Sequence, residues 1–155
     1  RKAGRGVGTV IWVPGVRGLD STDGHSDGSL RFVAPGLVVA SSYPGDTSQW
    51  GRAHEEALAI LAKARDARGR ALEIVSIPAA TEVRSTSEDF LSSYANYYVG
   101  NGALYTPQFG DRKADALAAD VLGRLHPGRR IVQLEVDRIY ENGGGIHCVT
   151  QQQPR

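Results

Sequence analysis

The spacing of apolar and polar positions along the chain predicts short strands alternating with two helices. "GTVIWVPG" (8–15) is apolar and β-branched enough for a strand closed by Pro14 and Gly15. A loop rich in glycine and aspartate follows, "VRGLDSTDGHSDGS" (16–29). "LRFV" and "LVVAS" predict a hairpin about the turn "APG" (34–36). Within 51–69, Ala57, Leu58, Ile60, Leu61 and Ala64 recur at helical spacing. Glu55 and Glu56 stand early, Lys63 and Arg65 late, and Gly69 supplies the stop. Residues 71–78 read as a strand and 81–89 as a polar loop.

The second half runs through a similar order. "SYANYYV" (93–99) and "ALYTP" (103–107) flank the turn "GNG" (100–102), a helix spans about 112–125, and "GRRIVQLEV" (128–136) reads as a strand. "SSYPGD" (41–46) and "TPQFGD" (106–111) each put an aromatic residue and Gly-Asp between strand and helix. "ARGRALEIVSI" and "HPGRRIVQLEV" each put Gly-Arg between helix and next strand, and Asp46 and Asp111 lie 65 residues apart. The shared order favours a tandem of two ββαβ modules over a chance match. Repeats that stack around an axis generally need more than two copies to close a core, so the expectation is an incomplete array within residues 1–155, a single domain.

Composition narrows the function classes. A length of 155 residues, 41% hydrophobic and 23% charged, is enough for one globular domain with a real core. The formal net charge of +1 gives no basic surface for nucleic acid or membrane. No apolar run approaches the ~20 residues of a membrane helix. One cysteine excludes an internal disulfide and a multi-thiolate zinc site, and it agrees with a reducing cytoplasm. The chain holds no methionine, even at position 1, which leads us to expect a segment of a longer protein or a processed product.

Two stretches could carry chemistry. In "DGHSDG" (23–28), His25 and Asp27 would face one pocket if the backbone were extended. A histidine moves protons near neutral pH and a carboxylate holds a cation, but Asp, Gly and Ser are also turn formers. A metal site on His and Asp alone would have a weak ligand set. In "GGGIHC" (143–148), glycines let the backbone approach a ligand, and the one thiol, Cys148, is a nucleophile if a cationic imidazole favours its thiolate. The alternative is a cysteine serving as a small buried hydrophobe.

Together, "TDGHSDGSLRFVAPGLVV" (22–39), "SYANYYVGNGALYTPQFGD" (93–111) and "GGGIHCVTQQQP" (143–154) resemble the agmatine deiminases and the related bacterial-type peptidyl-arginine deiminases. The resemblance runs over nearly the whole chain. It implies an α/β fold, part of a five-bladed α/β propeller (pentein) of ββαβ-type modules, with the N-terminal modules absent from this chain. It implies hydrolysis of a guanidinium group to a ureido group and ammonia, with no metal or organic cofactor. By that resemblance Cys148 is the nucleophile, His25 transfers protons, and Asp27 binds the guanidinium nitrogens. Asn96 is expected to make a polar contact near the reacting centre, and Gly145, with Gly143 and Gly144, to leave room for substrate. Phe109 and Tyr98 are expected to pack. The family's acid four positions before the histidine is Ser21 here, with Asp20 beside it, so either Asp20 binds the substrate's amine or the substrate is not agmatine. The family's other guanidinium-binding carboxylates have no counterpart in this chain. The expected partners are therefore a small guanidine substrate and a missing half or second chain, with homo-oligomers possible through open strand edges. The rival readings are peptidyl arginine as substrate, and a non-catalytic guanidinium-binding segment.

Overall fold

The computed structural model describes residues 8–19 and 23–153. Strands β1 (Leu30–Ala34) and β2 (Leu37–Ser42) form an antiparallel hairpin, turned at Gly36 with φ 83°. Helix α1 (Gln49–Lys63) crosses back, and β3 (Glu73–Pro78) lies parallel beside β2. The same β–β–α–β order then recurs. β4 (Tyr98–Val99) pairs antiparallel with β5 (Ala103–Pro107), α2 (Arg112–Leu125) crosses, and β6 (Arg130–Leu134) lies parallel to β5. A one-turn helix, α3 (Asp137–Tyr140), leads into the tail.

The two helix starts show how local chemistry sets the repeat. Gly45 and Gly110 both take left-handed φ (81° and 98°), which an L side chain resists and glycine does not. Ser48 then caps α1, its hydroxyl accepting from the Gly51 N–H at 3.1 Å. Asp111 caps α2, accepting from the Ala114 N–H at 3.0 Å, and its other oxygen takes the Thr81 and Glu82 N–H groups. That second set ties the 79–89 loop to the start of α2. The Ala114 bond and the Thr81 and Glu82 bonds hold the Asp111 carboxyl below its ordinary range against the opposing effect of burial.

Period-two alternation splits the first sheet between two cores. Val38 packs with Leu61 of α1 and Leu72 in a small cluster. Val39 and Ile77 enter the main cluster with Tyr94, Leu104, Phe109, Leu122 and Tyr140. Fully burying each such side chain contributes roughly 1.5–3 kcal/mol, so the cluster shared by both sheets dominates the stability. Arg31 stands directly opposite Val39 in the hairpin and hence on the face turned to the second sheet.

Three expectations are corrected. Residues 8–15 form no strand; with no pairing strand beside them among the described residues, Val10 and Trp12 stay exposed while Ile11 packs on the smaller cluster. Helix α1 ends at Lys63 rather than near Gly69. The Asp66 side chain accepts from the Arg68 and Arg70 N–H groups at 2.8 and 3.0 Å, turning the chain into a tight loop closed by an Arg65–Ala71 bridge. Of "SYANYYV" only Tyr98 and Val99 are strand, because residues 93–97 are buried on all sides in a turn stapled by the Ser93 hydroxyl to the Ala95 N–H. Phe109 is fully buried and Tyr98 packs against the main cluster.

Candidate functional site

The backbone at His25 is extended, but Ser26–Gly28 turn at once into a 3₁₀ segment, so the alternation expected of His25 and Asp27 does not hold. Asp27 instead points into the seam between the two β–β–α–β units. Its oxygen Oδ2 meets three donors: His147 Nδ1 at 2.6 Å, the Asn96 amide at 3.2 Å and the Cys148 thiol at 3.4 Å. These residues come from chain segments as much as 121 positions apart. The His147 contact is an ion pair whenever the ring carries its second proton.

Asn96 is the hinge of the arrangement and is fully buried. Its amide nitrogen donates to Asp27, through both the carboxylate and the main-chain carbonyl, and to the Cys148 sulfur at 3.3 Å. Its Oδ1 accepts the His147 N–H at 2.9 Å, and its main-chain carbonyl accepts the Tyr140 hydroxyl at 2.8 Å. Tyr140 in turn accepts from the Ile146 N–H, so α3 and the tail are fastened to the same turn. Burial raises the Tyr140 phenol well above its ordinary pKa, and it remains a donor.

Gly145 owes its identity to this crowding. A Cβ there would stand 2.3 Å from Asn96 Oδ1 and 2.5 Å from the Tyr140 ring, so any side chain would force them apart. Gly143 has φ 72°, turning the chain back toward the site.

Burial opposes ionisation of Asp27. The hydrogen bonds from His147 and Cys148, and the nearby His147 and His25 charges, outweigh it and hold the carboxyl below its ordinary range. His25 is exposed and close enough to Asp27 to be felt electrostatically, yet its ring makes no hydrogen bond among the described residues. Asp20 and Ser21 lie outside the described residues. Cys148 is a free, exposed thiol. Among the described residues no group of three or more His, Cys, Asp or Glu side chains is placed to hold a metal ion, and no helix is long and apolar enough to cross a membrane.

The structure thus brings Asp27, Asn96 and Cys148 together, with His25 at the edge. Sequence reasoning missed His147 as the direct partner of Asp27, although it stands beside the thiol in the quoted tail. Tyr140, which donates to the Asn96 carbonyl, and Arg31, which donates to the Tyr97 carbonyl beside it, were missed as well. Neither stands in a pattern that marks it, since both act through main-chain carbonyls.

The arrangement sets a carboxylate, an imidazole and a free thiol side by side in the seam. Comparison with known proteins gives the family. The model of the Porphyromonas-type peptidyl-arginine deiminase family matches residues 2–154. An agmatine deiminase of Medicago truncatula is 36% identical over 99% of this chain and 46% of its own length. The structure of an agmatine deiminase of Enterococcus faecalis superposes with a TM-score of 0.82 at 27% identity, over 94% of this chain and 44% of that one. An agmatine deiminase from C. jejuni, at 19% identity and a TM-score of 0.70, shares the fold. The chain spans less than half the length of these relatives. Matched from residue 2 to residue 154, with the Asp27–Asn96–Cys148 contact at its centre, the chain belongs to the Porphyromonas-type peptidyl-arginine deiminase family.

Proposed function

We propose that the chain carries the nucleophilic part of a guanidine-hydrolysing C–N hydrolase, acting on agmatine to give N-carbamoylputrescine and ammonia. The observation that supports this best is the meeting of Asp27, Asn96 and Cys148 within 3.4 Å, next to the imidazole of His147.

In this reading the Cys148 thiolate attacks the guanidinium carbon and forms a C–S bond. His25 protonates the departing nitrogen, and the C–N bond breaks to release ammonia. Water, deprotonated by His25, then adds to the thiouronium carbon. The C–S bond breaks, returning the thiol and leaving the ureido product. Asp27 orients the cation: among the described residues the three side-chain donors use Oδ2, and Oδ1 is the oxygen offered to a guanidinium N–H. The Asn96 amide donates to the Cys148 sulfur and holds it beside Asp27. Asp20 is the candidate for the substrate's distal amine.

The two β–β–α–β units are then two blades of a five-bladed propeller. The remaining guanidinium-binding carboxylates come from blades supplied by another segment or a second chain, so turnover by the 155-residue chain alone is absent or weak. The family model's own description keeps peptidyl arginine as the second reading of the substrate.

The test is release of ammonia and ureido product from agmatine and from a peptidyl arginine, with Cys148→Ala as control, in the presence and absence of the missing segment. Release abolished by Cys148→Ala establishes the chemistry, and the faster substrate decides between the readings. A Cys148→Ala variant that turns over as fast as the parent would refute the assignment.

A further inference from the structure

Arg31 is a half-buried guanidinium one residue's reach from the proposed site, and its partners are on Tyr97. The β1–β2 register puts it on the face toward the second sheet, opposite Val39. Its guanidinium carbon lies 4.2 Å from the centre of the Tyr97 ring, and its Nη1 donates to the Tyr97 main-chain carbonyl. Tyr97 is anchored from its other end by its hydroxyl, 3.0 Å from His126 Nε2. The residue before Tyr97 is Asn96, whose amide reaches both Asp27 and Cys148. Asp27 itself lies four positions before Arg31, close enough for the two charges to attract.

We propose that Arg31 is a positioning residue for the deiminase reaction: its planar cation clamps the Tyr97 carbonyl and ring, and so fixes the adjacent Asn96 turn that aims an amide at Asp27 and Cys148. The proposal rests on the deiminase reading of the site. The geometry suits arginine and not lysine, because one flat group stacks on a ring while an edge N–H reaches a carbonyl; an ammonium can do one or the other. The bond also crosses the seam, running from β1 of the first unit to the segment entering β4 of the second. A small shift there displaces the amide relative to the sulfur. Misplacement on the ångström scale is enough to cost a reaction tenfold or more.

The experiment compares wild type, Arg31→Met and Arg31→Lys in the 155-residue chain. Leu61→Ala, which loosens the smaller cluster far from Asn96, controls for lost stability. Two isosteric alkylating agents are used, 2-chloroacetamidine and 2-chloroacetamide, and the rate ratio at Cys148 reads recognition of the amidinium apart from bare thiol reactivity. In parallel, the side-chain amide signals of Asn96, assigned by Asn96→Asp, are followed by ¹H–¹⁵N correlation.

The expected result is an amidine preference that falls by about tenfold in Arg31→Met, returns only in part in Arg31→Lys, and is unchanged in Leu61→Ala. The Asn96 amide signals shift and exchange faster with water in Arg31→Met alone. Asn96 signals unmoved in Arg31→Met overturn the proposal, as does a preference within about twofold of wild type. A wild type that shows no amidine preference means that recognition needs the remaining carboxylates of the proposed function, and the Asn96 signals then decide the role of Arg31 by themselves.

Discussion

Replacing Asn96 by alanine removes the largest number of site contacts for the fewest atoms. Asn96 is fully buried, and its side chain makes hydrogen bonds to the Asp27 carboxylate, the Asp27 carbonyl, the Cys148 sulfur and the His147 N–H. The bond to an ionised carboxylate is worth about 1.5–3 kcal/mol. The His147 N–H, left without its acceptor, costs roughly 1–3 kcal/mol unless water enters. The contact to sulfur is weaker, and the contributions share one side chain, so they do not add fully. The expected loss is about 3–4 kcal/mol of unfolding free energy, or a melting temperature lower by roughly 6–16 °C for a chain of this size. Asn96→Asp separates the parts. It keeps an oxygen for the His147 N–H but sets a second carboxyl 3.2 Å from Asp27 Oδ2, so the pair must share a proton. Urea unfolding followed by circular dichroism measures the stability, and alkylation of Cys148 in the folded state measures the site. An Asn96→Ala loss below about 1 kcal/mol, the size of one ordinary neutral hydrogen bond, would mean that Asn96 does not hold the seam.

Gly145→Ala tests the crowding directly. Its new methyl falls 2.3 Å from Asn96 Oδ1 and 2.5 Å from the Tyr140 ring, both fully buried. The expected loss is about 2–3 kcal/mol by urea unfolding, and a loss under ~0.5 kcal/mol would show that the tail moves aside. The pH dependence of stability has two expected parts. Asp27 and Asp111 are depressed in the fold, so their contribution is present above the ordinary carboxyl value of 3.8 and is lost as pH falls through their folded values. His126 is pulled down by burial and then by the Arg129 and Arg31 charges. The unfolded chain therefore takes up a proton first, and stability declines as pH drops through 6.5. His126→Gln should flatten the slope just below pH 6.5 and leave the acid limb in place, checked by urea unfolding across pH; an unchanged slope rejects His126 as its source.

The elements that were legible in the sequence are those whose cause is local. The β1–β2 hairpin, α2 and the strands after each helix follow from alternation, glycine turns and caps within a few residues. The doubled Gly-Asp proved to mark a shared backbone geometry, left-handed at Gly45 and Gly110. What escaped has a non-local cause. Residues 8–15 have strand composition but no partner strand among the described residues, and "SYANY" has strand propensity but is buried on every side. The end of α1 was misplaced because Asp66 competes for the backbone, a conflict that apolar spacing does not reveal. At the site, the glycine-lined thiol and His-x-Asp were visible as types. The pairing of His147 with Asp27, and the ties of Arg31 and Tyr140 to main-chain carbonyls, depend on the packed seam and leave no mark in composition.

The distance between Asp27 and Cys148 along the chain has a consequence for how the site comes into being. Closing a loop of 121 positions carries an entropy cost that grows only slowly with length, and this one closes onto a turn already seated by Tyr140 and the main core. The ribosome delivers the thiol after every strand of both sheets, so during synthesis the scaffold can form while the sulfur is still unplaced. The reverse also holds in the finished molecule. Residues 143–148 are held by hydrogen bonds to Asn96, Tyr140 and Asp27 and by Ile146 in the main cluster, so an opening confined to the tail would dissolve the site while both sheets stay folded. The arrangement at this centre can therefore be lost well before the protein unfolds.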